Sequence, residues 1–130
     1  MPLQVEIVSP ERVLYSGEGE MVVARSSDGD IAFLPGHAPF IGALDIAPVR
    51  VILPSTGEQA AAVHGGFVNV SNDQVIVLSD VAELPEQIDV ERARDAKARA
   101  EAALRADEHD EAAADALARA NTRLEVAGAA

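Results

Sequence analysis

The chain has 130 residues, no cysteine and a formal charge of −12 at pH 7, with a pI near 4.4. That length holds one ordinary domain plus a small appendage. The acidity excludes a general nucleic-acid or anionic-lipid surface, because phosphates would be repelled, and the missing cysteine excludes disulfide or thiolate chemistry and fits a reducing compartment.

In chain order, Leu3, Val5 and Ile7 alternate with Gln4 and Glu6, the period-2 pattern of a half-buried strand, and Ser9-Pro10-Glu11 ends it. The start lacks a basic and then apolar leader, so no signal peptide is expected. Val13-Leu14-Tyr15 and Met21-Val22-Val23-Ala24 follow as short strands, and Ser26-Ser27-Asp28-Gly29-Asp30 is a polar turn of the kind that joins hairpin strands. Next comes Leu34-Pro35-Gly36-His37-Ala38-Pro39-Phe40, in which two prolines fix φ and remove two donors while Gly36 opens a φ > 0 position. His37 is its only polar side chain and has no ligand-spaced companion, so the segment reads as a shaped surface for a basic or apolar partner. Val49 to Leu53 is a strand between Pro48 and Pro54, and Gln59 to His64 is another, broken by Gly65-Gly66. Phe67-Val68-Asn69-Val70 and Val75-Ile76-Val77-Leu78 flank Ser71-Asn72-Asp73-Gln74, a hairpin signature. Many short strands at short spacing imply a sandwich or barrel. No aliphatic run approaches the ~20 residues of a membrane span. The aromatics Tyr15, Phe33, Phe40 and Phe67 are read as core or interface packing.

At Glu83-Leu84-Pro85-Glu86 the character changes. From Asp89 to Ala127 there is neither glycine nor proline, alanine dominates and charges are interleaved, which is strong helix composition. Asp89 is the expected N-cap of a first helix, and Asp107-Glu108-His109-Asp110 interrupts the pattern and caps a second. The sequence thus divides into a β-domain, residues 1–84, and a two-helix hairpin, residues 85–130. Ala93, Ala96, Ala100 and Ala103 on the first helix are expected to face Ala113, Leu117, Ala120 and Leu124 on the second. At ~0.8 kcal/mol per buried methyl, such a seam is loosely held and suits a switch, the alternative being a permanently docked hairpin.

The order of these parts carries a resemblance. Asp28-Gly29-Asp30 and Leu34-Pro35-Gly36-His37-Ala38-Pro39-Phe40, then Val63-His64-Gly65-Gly66-Phe67-Val68-Asn69-Val70, then the alanine-rich hairpin, make the whole chain similar to the epsilon subunit of bacterial F-type ATP synthases. Ala32 departs from the glycine of many relatives. The resemblance implies a β-sandwich of about ten strands that grips the gamma subunit and sits on the c-ring, with no catalytic residues and no metal. It implies a rotor subunit of the central stalk that couples proton flow to ATP synthesis, peripheral at the cytoplasmic face of the cell membrane. Carried over by position, Asp28, Asp30 and His37 face gamma and the c-ring.

Ile88-Asp89-Val90-Glu91-Arg92-Ala93 matches the Ile/Leu-Asp-x-x-Arg-Ala motif of epsilon subunits that bind ATP in the folded hairpin. Arg92 and Arg99, seven apart, share one helix face, and Arg119 and Arg123, four apart, share another. A folded hairpin would bring these four guanidinium groups toward a triphosphate, for which planar forks are suited. The expected ATP set is therefore Ile88, Asp89, Arg92, Ala93, Arg99, Arg119 and Arg123, with ATP as a regulatory ligand rather than a required cofactor. When ATP leaves, the resemblance implies that the helices extend into the catalytic alpha/beta hexamer and impede hydrolysis. The bland alternative is a solvated face paired with Asp89, Glu91, Asp95 and Glu101. Two other classes remain: a free-standing ATP-binding regulatory protein, which leaves the acidic β-domain unexplained, and a metal-dependent β-barrel enzyme, which the scattered His37, His64 and His109 disfavour.

Overall fold

Leu3, Val5 and Ile7 are fully buried and their polar neighbours are not, so the first strand, β1 (Leu3–Val8), lays one face on a core, as the alternation predicts. The computed structural model describes residues 2–130; Met1, the first residue of the expected β-domain, lies outside them. Seven further strands follow: β2 (Val13–Gly19), β3 (Met21–Ser26), β4 (Gly29–Phe33), β5 (Phe40–Ile52), β6 (Glu58–Ser71), β7 (Gln74–Leu78) and the short β8 (Ala82–Glu83). A single 3-10 turn (Pro85–Gln87) then leads to α1 (Val90–Ala106) and α2 (Glu111–Val126).

The strands are ordered β2-β1-β7-β6-β5-β3-β4, with β8 paired to β6. Every pair is antiparallel except β1 and β7. Residues from β1 and β7 at one end of this path share one apolar cluster with Val22, Ala24 and Phe33 from the other, so the path folds over itself into the expected sandwich. Eight strands stand where about ten were implied, because β5 and β6 each run through what the sequence presents as two strands. β6 does not break at Gly65-Gly66. It bends there with φ of 83° and 121°, and the β5 ladder holds it on both sides, from Phe40↔Val70 to Ile52↔Glu58. β5 likewise continues through Pro48, which lies where residues 45–49 have no partner in β3 and a missing N–H costs that pairing nothing.

Local signals hold elsewhere. The β6–β7 turn places Asn72 and Asp73 at φ of 51° and 59°, the type I′ geometry that matches strand twist. Pro35-Gly36 forms a hydrogen-bonded turn, with His37 N–H donating to Leu34 O at 3.0 Å and Gly36 at φ 84°. Asp89 and Asp110 cap their helices by accepting from the amides of Arg92 and Ala113. α2 ends with Gly128 at φ 75°, its N–H donating to Glu125 O and that of Ala129 to Leu124 O, a Schellman closure. α2 packs on β5 and β6, and α1 packs on α2.

Candidate functional site

The hairpin builds a sizeable hollow. Because α1 and α2 meet along small residues, Ala93, Ala96, Ala100 and Ala103 face Ala112, Ala113 and Ala116 across an open cleft of about 670 Å³. Of the expected nucleotide residues, Asp89, Arg92, Ala93, Arg99, Arg119 and Arg123 line this cleft, and Ile88 does not. The expected alanine stripe of α1 faces the cleft. That of α2 divides: Ala113 faces the cleft, while Leu117 and Leu124 do not line it, and Leu124 is buried with Thr122 and Val126 at the end docked on the sheet.

Among the described residues Arg92, Arg99 and Arg119 make no ion pair, so the suggested pairing with Asp89, Glu91, Asp95 and Glu101 is not formed. Asp89 instead spends its carboxylate on the α1 cap. Arg123 is committed differently: its Nε donates to Glu83 Oε1 at 2.6 Å, and the same oxygen accepts from His64 Nε2 at 2.9 Å. His64 is thus not a strand-end residue; its side chain is 3% exposed, and its Nδ1 is buried with no hydrogen-bond partner. Burial holds the His64 ring below the usual histidine range, against the pull of Glu83. Burial alone would raise the Glu83 carboxyl, but the hydrogen bonds from Arg123 and His64 outweigh it and hold it below the usual carboxylate range. A second tie, Arg50 to Glu125 at 3.3 Å, fixes the end of α2 to β5.

The other expected residues lie on the sheet. Asp28 and Asp30 are exposed in and beside the β3–β4 turn, where they line a shallow hollow with Phe40 and Ile41. Asp30 pairs with Arg25 at 2.9 Å, which raises the Arg25 guanidinium further. His37 stands outside this hollow, edge-on to Phe33 with centroids 5.1 Å apart and to Phe40 at 6.4 Å. The Gly36 N–H donates to Asp73 Oδ1 at 2.7 Å and anchors the loop to the β6–β7 turn.

Sequence reasoning left one surface unnamed. The ladder registers set Val8, Leu78, Phe67 and Ala43 in one row across β1, β7, β6 and β5, with Ile76, Asn69 and Ile41 in the next. Phe67 is 56% exposed, Leu78 47% and Ile41 73%, so this outer face is apolar and uncovered. The signal was present in the sequence: Val68 and Val70 point inward, so period 2 turns Phe67 outward. Glu83 and Gln87, which line the cleft, had no such local signal, and Asp110, also in the lining, was legible only as a helix cap. Among the described residues no group of three or more histidines and carboxylates is placed to hold a metal ion. His37, His64 and His109 occupy the aromatic loop, the sheet and the inter-helix turn.

Comparison with known proteins adds the following. The family described as ATP synthase, delta/epsilon chain, beta-sandwich domain matches residues 2–85, and the corresponding long alpha-helix domain matches residues 86–128. The ATP synthase epsilon chain of Brevibacillus brevis is 49% identical over 102 residues, 78% of this chain and 77% of the relative. That of Thermobifida fusca is 45% identical over 130 residues, covering 98% and 93%. Among solved structures, a chain of the Euglena gracilis mitochondrial ATP synthase (OSCP/F1/c-ring) superposes with a TM-score of 0.72 at 19% identity, over 98% of this chain and 78% of that one. A chain from the central stalk and c-ring of the Tetrahymena thermophila enzyme gives 0.56 at 11%, over 67% and 69%. At those identities the likeness is one of fold.

Proposed function

The chain belongs to the ATP synthase delta/epsilon chain family and is a non-catalytic subunit, and on that premise we propose a role in the central stalk, gripping gamma and the c-ring so that proton flow is coupled to ATP synthesis. The observation that carries this reading is the uncovered apolar face around Phe67, Leu78 and Ile41. An acidic chain that leaves such a face open has a macromolecular partner for it, and a rigid rotor shaft is a partner of that kind. Gamma takes this face. The turn bearing Asp28 and Asp30, with the rigid His37 loop beside it, meets gamma and the c-ring at the adjoining edge. Among the described residues no helix is long and apolar enough to cross a membrane. Attachment is through the complex, at its cytoplasmic face.

The test is binding of the full chain to purified gamma. Central interface aromatics commonly contribute 2 kcal/mol or more, so Phe67→Asp should weaken binding by at least about tenfold. Ala102→Asp, on the exposed side of α1, should leave it unchanged. Equal affinity of Phe67→Asp and the parent chain would remove gamma from this face.

The 1–84 domain serves this attachment and the 85–130 hairpin regulates. ATP occupies the arginine cleft, whose size suits a small ligand, and stabilises the docked hairpin by mass action. Without ATP, α1 and α2 extend toward the alpha/beta hexamer and impede hydrolysis. Three cleft arginines free of ion pairs support this reading over a solvated charged face.

A further inference from the structure

We propose that His64, Glu83 and Arg123 form a proton-sensitive latch that releases α2 from the sheet as the surroundings acidify. The three residues come from β6, β8 and α2 and converge on one atom, Glu83 Oε1, which accepts from the Nε2–H of the neutral His64 ring and from the Nε–H of the Arg123 guanidinium. Among the described residues the Arg123–Glu83 bond is the only hydrogen bond that ties a side chain of α2 to β8, and its acceptor is shared with a titratable ring. The latch needs no nucleotide and rests on the docking geometry alone.

Protonation strains this arrangement for a specific reason. With Glu83 ionised, His64 must carry its proton on Nε2, leaving Nδ1 as a bare acceptor. Nδ1 is buried without a partner, so a second proton there would create an unsatisfied buried donor on a cation. The charged groups acting on the ring are Glu83 from β8 and Arg123 and Arg119 from α2, while β5 presents apolar Ile46 opposite it. Glu83 favours the imidazolium, but its carboxylate is already engaged by Arg123, and both arginines repel a new positive charge. When α2 departs, Arg123 and Arg119 leave with it and water reaches the ring.

The undocked form therefore binds the proton more tightly than the docked form. Docking is complete at and above neutral pH and weakens as pH falls from the ordinary histidine value, ~6.5, toward the lower docked value. Across that window the weakening follows from the lower proton affinity of the docked ring. Glu83 responds in a separate, lower range, because its carboxyl is held below the usual carboxylate value and loses its contribution only as pH falls through that depressed value. The Arg50–Glu125 pair contains no histidine and serves as a control tie.

The absence of native cysteine allows Ser55→Cys and Asn121→Cys to carry spin labels on the β5–β6 turn and the exposed side of α2. Pulsed distance measurement should give one docked population at about pH 8 and a growing longer-distance population by about pH 5.5. His64→Gln keeps a donor toward Glu83 but cannot titrate, and should give the same distribution at both. Glu125→Gln should raise the undocked fraction at both while preserving the pH response. An unchanged distribution in the parent, or an equal response in His64→Gln, overturns the latch. Nuclear magnetic resonance titration of His64 in the unlabelled parent chain is a second measurement that needs no variant. A midpoint below ~6.5 is expected, and one at or above it overturns the proposal.

Discussion

At Gly66 a single missing side chain decides the path of β6. A Cβ there would collide with the carbonyl oxygen of Leu78 and stand 3.0 Å from Ser79 Cα, at a φ of 121° that L-residues rarely adopt. The bend it permits carries β6 from His64 to Phe67 beneath the close approach of β7, so the path that joins the latch to the apolar face depends on it. Gly66→Ala should lower stability by at least about 2–3 kcal/mol in denaturant unfolding. Gly57→Ala is the internal comparison: it also has positive φ, 84°, but its Cβ would meet nothing within 4 Å, and about 1 kcal/mol is expected. If Gly66→Ala unfolds with Gly57→Ala, backbone freedom alone is at work and the close approach to β7 is not.

At the scale of the element, the helices were legible in sequence and the long strands were not. Asp89 and Asp110 announce their helices because a cap is a local transaction between a side chain and amides three residues on. The continuity of β5 and β6 depends on a ladder between residues up to 30 apart, from Phe40↔Val70 inward, and no window of sequence contains both partners. The cleft divides the same way. Arg92 and Arg99 share a helix face by spacing, but the engagement of Arg123 by Glu83, 40 residues away, follows from how α2 lies on the sheet. This division shapes the nucleotide test. Arg92 and Arg99 are the cleaner probes, because removing Arg123 also removes a docking tie. Calorimetric titration of the parent chain with ATP should saturate. Arg92→Ala or Arg99→Ala should each weaken binding by about tenfold or more, as expected for a lost charge-assisted hydrogen bond of ~1.5–3 kcal/mol. Arg94→Ala, exposed and outside the cleft, should not. Equal losses in all three would mean that general positive charge, not the cleft, attracts the nucleotide.

Over the whole molecule the two parts are unequally held. The apolar cluster runs from Leu3 to Val77 and takes no residue from either helix, whereas the hairpin is joined to the sheet by Arg123–Glu83, Arg50–Glu125 and the buried end of α2. The β-domain therefore keeps its core when the hairpin moves or is removed, and attachment to a rotor can persist while regulation changes. The docked role of α2 and its proposed extended role also exclude one another. Asp110, Glu111 and Asp115 crowd its first half, so Arg119 and Arg123 are the cations it could offer an acidic surface of the hexamer. In the docked state both line the cleft, and Arg123 is bound by Glu83. On the proposed reading, inhibition requires the hairpin to open, and whatever closes it relieves inhibition. Deleting residues 86–130 should leave the chain assembled in the complex and raise ATP hydrolysis about fivefold or more, the low end of ordinary allosteric coupling. Glu125→Gln in the full chain, which loosens docking without removing either arginine, should lower hydrolysis instead. Opposite signs in these two variants are expected only if the freed helices act on the hexamer; unchanged hydrolysis in the deletion would refute an inhibitory role for the hairpin.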